Sequence, residues 1–237
     1  MDDRLYFRQL LSGRDFAVGD GAATQMVNFV YLIGDRETGE AVAVDPTYRV
    51  DDLLALLAAD DMRLTGVLAT HYHVDHVGGS MFGLTIEGIR ELLERQSVQI
   101  HVQRDEAEWV RRGTGVGGSD LVEHDGDDEL LVGAIPISMV HTPGHTPGSQ
   151  CFLVDGRLVA GDTLFLEGCG RTDFPGGDPR LMYDSLRRLA AMPDTVTVYP
   201  GHQYSAAPSA ELGAVKQLNY VFRPNSREQW LSMLGQG

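Results

Sequence analysis

The sequence predicts an α/β layered fold. Short apolar runs of strand character alternate with segments of helical period along most of the chain. Polar residues that can ligate or titrate, Asp45, His71, Asp162 and His202, each stand within a residue or two of a predicted strand's end. In layered α/β proteins the strand ends and their loops are where sites are built. A third observation fixes where to look. The run His71-Tyr72-His73-Val74-Asp75-His76 places four ligand-type side chains directly after an apolar strand. Residues two apart in an extended segment share a side, so His71 and His73 can reach one cation. Asp75 and His76 follow at the bend Val77-Gly78-Gly79 and can aim at a neighbouring point. Imidazole and carboxylate suit zinc and other divalent first-row metals.

The elements follow in order. Residues 5–11, 26–33 and 41–44 read as strands, the last closed by Asp45-Pro46, with a loop over 13–25. Residues 50–59 carry Leu53, Leu54, Leu56 and Leu57 on one side of a helix, and 66–70 lead into the histidine run. An amphipathic helix is expected over 85–95, a strand over 98–102 that makes His101 a core or edge residue, and a short helix over 106–112. Residues 113–118 formally match GxGxxG, but a dinucleotide turn needs a strand before it and a helix after it. Here a charged helix precedes and the acidic loop 123–129 follows, so the stretch reads as a mobile loop that could serve as a lid. Strands are expected at 130–132, 135–140, 151–154, 158–160 and 196–199. Asp178 caps a helix to residue 192 with Pro179 in its first position, and two short helices, 210–222 and 227–234, finish the chain.

Composition narrows the class of function. At 237 residues and 43% apolar content, the chain suits one domain with a sizeable core, followed by a short helical tail from about residue 205. A formal charge of -15 repels phosphate backbones, which disfavours nucleic acid as a partner. No apolar run approaches the ~18 residues that span a bilayer, and the acidic start shows no secretory signal. The two cysteines, Cys151 and Cys169, form no CxxC, so a reduced cytoplasmic setting is expected.

Taken together, the histidine run, Thr142-Pro143-Gly144-His145-Thr146, Gly161-Asp162-Thr163 and Gly201-His202 strongly resemble the metallo-β-lactamase fold superfamily, from about residue 26 to 204. The resemblance implies a four-layer αβ/βα sandwich with two divalent metal ions, zinc first and iron or manganese as alternatives. It implies that His71, His73 and His145 hold one ion, that Asp75, His76 and His202 hold the other, and that Asp162 bridges them. Asp75 would also orient the reacting water, and Asp45 looks like the buried aspartate that braces the histidine loop. His141 is expected to be structural and His124 a surface loop residue.

Asp162-Thr163-Leu164-Phe165 and Gly168-Cys169-Gly170-Arg171 look like glyoxalase II, and the run from Arg171 to Asp178 with its short tail is similar to short-form relatives of that enzyme. These imply hydrolysis of a hydroxyacyl-thiol conjugate. Gly168 to Phe174 also resembles the persulfide dioxygenases, which bind a single iron through the counterparts of His71, His145 and Asp162. Other ester or lactone substrates, and a non-enzymatic metal-dependent scaffold, are further alternatives. Cys169 is expected to pack as a small apolar residue. Arg171 either binds a carboxylate of the thiol carrier or braces its own loop.

Overall fold

A computed structural model of the chain describes residues 3–81 and 83–235. The first half runs β1 (Leu5–Leu11), α1 (Gly21–Met26), β2 (Phe29–Asp35), β3 (Glu40–Val44), α2 (Val50–Ala59), β4 (Arg63–Leu68), α3 (Val74–Val77), β5 (Gly79–Met81), β6 (Leu84–Ile86), α4 (Ile89–Arg95), β7 (Gln99–Gln103), α5 (Arg104–Thr114) and β8 (Leu121–His124). The second half runs β9 (Asp128–Val132), β10 (Ile135–His141), β11 (Gln150–Val154), β12 (Arg157–Gly161), α6 (Pro179–Ala190), β13 (Thr197–Pro200), β14 (Ala210–Glu211), α7 (Leu212–Leu218) and α8 (Arg227–Met233).

Each half builds a six-stranded sheet, ordered β1-β2-β3-β4-β7-β8 in the first and β14-β13-β12-β11-β10-β9 in the second. The reason β2 is apolar at nearly every position is that both of its faces are covered. Phe29, Tyr31 and Ile33 point between the sheets, against Ile137, Met139, Phe152 and Val159. Val30 and Leu32 point the other way, toward Leu53 and Leu57 of α2, Ile89 and Leu92 of α4 and Val110 of α5. On the far side of the second sheet, Met182, Leu186 and Leu189 of α6 pack with Leu212, Val215 and Trp230. The result is helix, sheet, sheet, helix, the four-layer sandwich. Each such buried side chain contributes about 1.5–3 kcal/mol, which is why the layers are fixed.

Local chemistry sets the helix starts. Asp178 accepts from the Arg180 and Leu181 amides (2.7 and 3.3 Å) with Pro179 at the first turn, a cap worth about 1 kcal/mol. Trp230 is fully buried and donates its indole N–H to the Pro179 carbonyl at 2.7 Å, so α8 is tied to the start of α6.

Several sequence expectations need correction. The 85–95 helix begins only at Ile89, because β-branched Thr85 and Ile86 pair back on Ser80 and Gly79 as a hairpin. The 13–25 loop contains α1, capped by Asp20 accepting from Ala23 N–H at 3.0 Å. Residues 210 and 211 pair with β13 before α7 starts, and Asn219 ends that helix by turning its carboxamide to the Phe165 and Gly168 carbonyls (both 3.0 Å). Of the acidic stretch 123–129, Glu123 and His124 end β8 and Asp128 and Glu129 start β9, so the loop is only residues 125–127. His124 is buried in β8, not in a surface loop, with its ring stacked on His101 and Nδ1 against Asp128 at 2.6 Å. Gly113 and Thr114 of the Gly-rich stretch belong to α5, Gly115 takes its left-handed C-cap (φ 77°) and Val116 is buried, while Gly117 and Gly118 stay exposed.

Candidate metal centre

The seven residues His71, His73, Asp75, His76, His145, Asp162 and His202 come together at one edge of the sandwich. There the two sheets are joined by backbone bonds, Gln150 N–H to Thr70 O at 3.0 Å, Phe29 N–H to Gly201 O at 2.8 Å and Gln203 N–H to Val27 O at 2.9 Å. β4 delivers the histidine run, the β10–β11 loop delivers His145, and the ends of β12 and β13 deliver Asp162 and His202.

Two triads result. In the first, His73 Nδ1 stands 3.1 Å from His71 Nε2 and 3.0 Å from His145 Nε2. In the second, His76 Nε2 lies 3.2 Å from His202 Nε2, and Asp75 Oδ2 is 3.5 and 3.3 Å from those two nitrogens. Asp162 stands between them, with Oδ2 3.7 Å from His145 Nε2 and 3.4 Å from His202 Nε2, and Oδ1 3.5 Å from His76 Nε2. Ligand atoms each about 2.0–2.1 Å from a common zinc at tetrahedral angles would stand roughly 3.3–3.4 Å apart, close to these separations.

The tautomers agree with a cation site. His71 Nδ1 faces Thr70 Oγ1 at 2.9 Å, and that hydroxyl already donates to Asp45 Oδ2 at 2.6 Å, so it accepts from the ring. His76 Nδ1–H donates to Asp45 Oδ2 (2.9 Å), His145 Nδ1–H to the Arg171 carbonyl (2.6 Å) and His202 Nδ1–H to the Met26 carbonyl (2.8 Å). The outer N–H of each of these four rings is engaged, so in its neutral form each presents an Nε2 lone pair inward to a cation. Asp162 Oδ1 is buried and has no hydrogen-bond partner among the described residues, a costly state for a carboxylate unless a cation meets it. The residues fit divalent metal.

Charge divides the triads. Burial, helped by the neighbouring imidazoles, holds His71 well below its ordinary range and brings His73 down to about 4; burial also lowers His145. Burial alone would raise Asp75 and Asp162, but the His76 and His202 rings outweigh it and hold both carboxyls below the usual range. The reverse holds for His76 and His202, which rise despite burial because of the two carboxylates.

Asp45 takes the bracing place expected of it. Its Oδ1 also accepts the Thr70 amide at 2.7 Å, and its backbone sits in the left-handed region (φ 53°). Two glycines make room for His145. A side chain on Gly144 (φ 142°) would meet the Met182 backbone at 2.4 Å, and one on Gly170 would meet the His145 ring at 2.7 Å.

The sequence reading missed Thr70, Asn28, Tyr48 and Glu106. Asn28 is buried and donates to Asp75 Oδ2 at 3.1 Å, while its own oxygen accepts from Tyr48 at 2.5 Å. No spacing rule marks these; an asparagine among the apolar residues that lead into β2 was the one available signal. Of the residues left open, Cys169 is a packed thiol, pushed up to about 12 by burial. Arg171 pairs with Asp173 (2.8 and 2.6 Å) and lies over the Phe174 ring, so its guanidinium braces its own loop. His141 is structural, facing the Pro147 carbonyl at 3.1 Å.

A four-layer sandwich with histidines and aspartates converging on one edge of its paired sheets defines a class of metal-dependent enzymes. The chain belongs to the metallo-beta-lactamase superfamily, whose family pattern matches residues 23–202. It is 29% identical over 206 residues to the probable polyketide biosynthesis zinc-dependent hydrolase BaeB of Bacillus velezensis, covering 86% of each chain. It is 36% identical over 182 residues to a hydroxyacylglutathione hydrolase of Rhodopseudomonas palustris. That match takes in 76% of this chain and 64% of the relative, so the chain spans less than two thirds of that protein's length. The crystal structure of ETHE1 from Myxococcus xanthus superposes with a TM-score of 0.79 at 31% identity, covering 97% of this chain and 90% of that one.

Proposed function

We propose that the protein hydrolyses a thioester of a small acyl-thiol conjugate at a centre of two divalent metal ions, zinc first among them, in a reducing compartment. The observation that carries this reading is Asp162, which reaches both triads and leaves one buried oxygen without a hydrogen-bond partner among the described residues. His71, His73 and His145 would hold one ion and Asp75, His76 and His202 the other, with Asp162 between. Bound there, divalent metal supplies a water of lowered pKa and a Lewis acid for the acyl carbonyl.

The rest is the work of the chain. Asn28 holds one oxygen of Asp75, so this buried carboxylate presents a fixed acceptor to a water proton. Aromatic side chains rim the opening. Phe174 stands edge-on to His73 (5.2 Å), and Tyr204 stacks on His202 (4.7 Å) with Phe165 against it. They exclude bulk water and offer apolar surface to an acyl chain. A thiolate with an ordinary pKa of about 8.5 leaves without a dedicated acid, which suits a site with no spare one. One residue beyond Phe165 and Tyr204 begins a groove of about 640 Å³, lined by Leu166, Ala206, Leu218, Tyr220 and Arg223, with room for a thiol carrier. The names of the relatives, a hydroxyacylglutathione hydrolase and a zinc-dependent hydrolase of polyketide biosynthesis, support hydrolysis.

The second reading is oxidation of a persulfide by O₂ at one iron, favoured by the run from Gly168 to Phe174. Metal content of protein purified without chelator, followed by a panel of acyl-thiols, separates the two. Two metals per chain and thioester cleavage are expected. One iron per chain, no uptake of Zn²⁺ or Mn²⁺ at the second triad, and oxygen consumption with persulfide would replace hydrolysis by the second reading.

A further inference from the structure

Glu106 is a carboxylate that the proposed chemistry leaves idle. It lies in the first turn of α5 with 1% of its surface exposed. Its hydrogen bonds come from the two loops that carry the first triad. Oε1 accepts from the Tyr72 amide (2.6 Å), between His71 and His73, and from Thr146 Oγ1 (2.8 Å), beside His145. Oε2 accepts from the Gly148 amide at 2.7 Å. The approach is close enough that a side chain at Gly148 would meet the Glu106 Cβ at 2.6 Å. One carboxylate thus joins a loop from the first sheet to a loop from the second.

The link matters most for His73. The outer nitrogens of His71 and His145 face Thr70 and a carbonyl, whereas the His73 ring is steadied by aromatic edges, Tyr72 at 4.7 Å and Phe174 at 5.2 Å. Its direction therefore depends on where the backbone at residue 72 is held. Burial pushes Glu106 up to about 7, and the three donors oppose that. The Tyr72 amide on one oxygen and the Gly148 amide on the other can only donate, so both sides of the group must accept.

We propose that Glu106 is a positioning residue for the first triad, holding the His71–His73 loop and the His145 loop at the separation a metal ion requires. The inference rests on the metal assignment and not on the thioester, so its test reads metal affinity alone. In the full chain, Glu106→Gln keeps the shape but turns an amide NH₂ toward one of the three donors. Zn²⁺ affinity is measured by chelator competition in two backgrounds, His76→Ala to leave the first triad and His71→Ala to leave the second. The expected result is a loss of about 10–100-fold in the first background, the range for outer partners of metal ligands, and a change under about threefold in the second. Thr146→Val removes one of the three donors and should weaken the first triad in the same direction by a smaller factor, about threefold. Equal losses in both backgrounds would make Glu106 a general structural residue. Unchanged affinity at the first triad in both variants would likewise overturn the proposal. Thioester activity, present or absent, does not enter either outcome.

Discussion

The first sheet delivers four candidate ligands from one loop, the run from His71 to His76, while the second delivers His145 from the β10–β11 loop and Asp162 and His202 from two strand ends. The two deliveries are braced differently. His71 and His76 lean on side chains, Thr70 and Asp45, whereas His145 and His202 lean on the backbone carbonyls of Arg171 and Met26. The carbonyls that hold His145 and His202 lie outside the sheets, Arg171 in the segment after β12 and Met26 at the end of α1. The first kind of support can be removed by one substitution, and the second cannot.

Asp162 is the point at which this contrast vanishes, since it faces both triads. Asp162→Ala should lower metal affinity at both and reduce hydrolysis by at least about a thousandfold, because it removes the shared charge of the centre. Measured metal content and kcat/KM check this. Loss confined to one triad would show that Asp162 serves that triad alone.

What was legible in the sequence follows the same division. The candidate ligands could be read because His71 to His76 is contiguous, because Asp162 and His202 follow strand ends, and because the motif around His145 completes the resemblance. The layered α/β class was legible from the alternation of apolar strands and helical periods, whereas the four-layer sandwich came only with the resemblance to the metallo-β-lactamase superfamily. Glu106, Asn28 and Thr70 were not legible, since nothing in their spacing announces partners 34, 47 or 25 residues away. The hairpin at residues 79–86 was hidden by the helical period of the segment that follows. His124 was hidden by acidic neighbours that suggested solvent, where tertiary stacking on His101 decided burial.

Asp45 sharpens the comparison. It touches one histidine of each triad, His76 directly and His71 through Thr70. Asp45→Ala should weaken metal binding at both by about 10–100-fold while leaving every candidate ligand in place. Arg171→Ala is the counterpart in the second half. Because His145 uses the carbonyl and not the guanidinium, metal affinity should stay within about twofold, as for a surface substitution. Chelator competition measures both. A large loss in Arg171→Ala would mean that the Arg171–Asp173 pair holds the carbonyl in place.

The smallest effect concerns how the halves are joined away from the centre. Asp35, at the end of β2, is bonded by Arg4 (2.9 and 2.7 Å) and by the amide of Ala134, in the turn between β9 and β10. The Arg4 guanidinium holds its carboxyl down to about 2, against the opposing effect of burial. A folded pKa below the unfolded value of about 3.9 means that the unfolded chain takes up the proton first. The contribution is therefore complete above about pH 4 and fades as pH falls toward 2. Asp35→Asn should lower the melting temperature modestly at neutral pH and flatten the wild-type decline between pH 4 and 2. Parallel melting curves for the two proteins across that window would show that the Arg4 pair adds nothing to the junction. A difference that shrinks toward pH 2 and disappears below it would assign it to this carboxylate, because below its folded pKa both chains present a neutral group to Ala134.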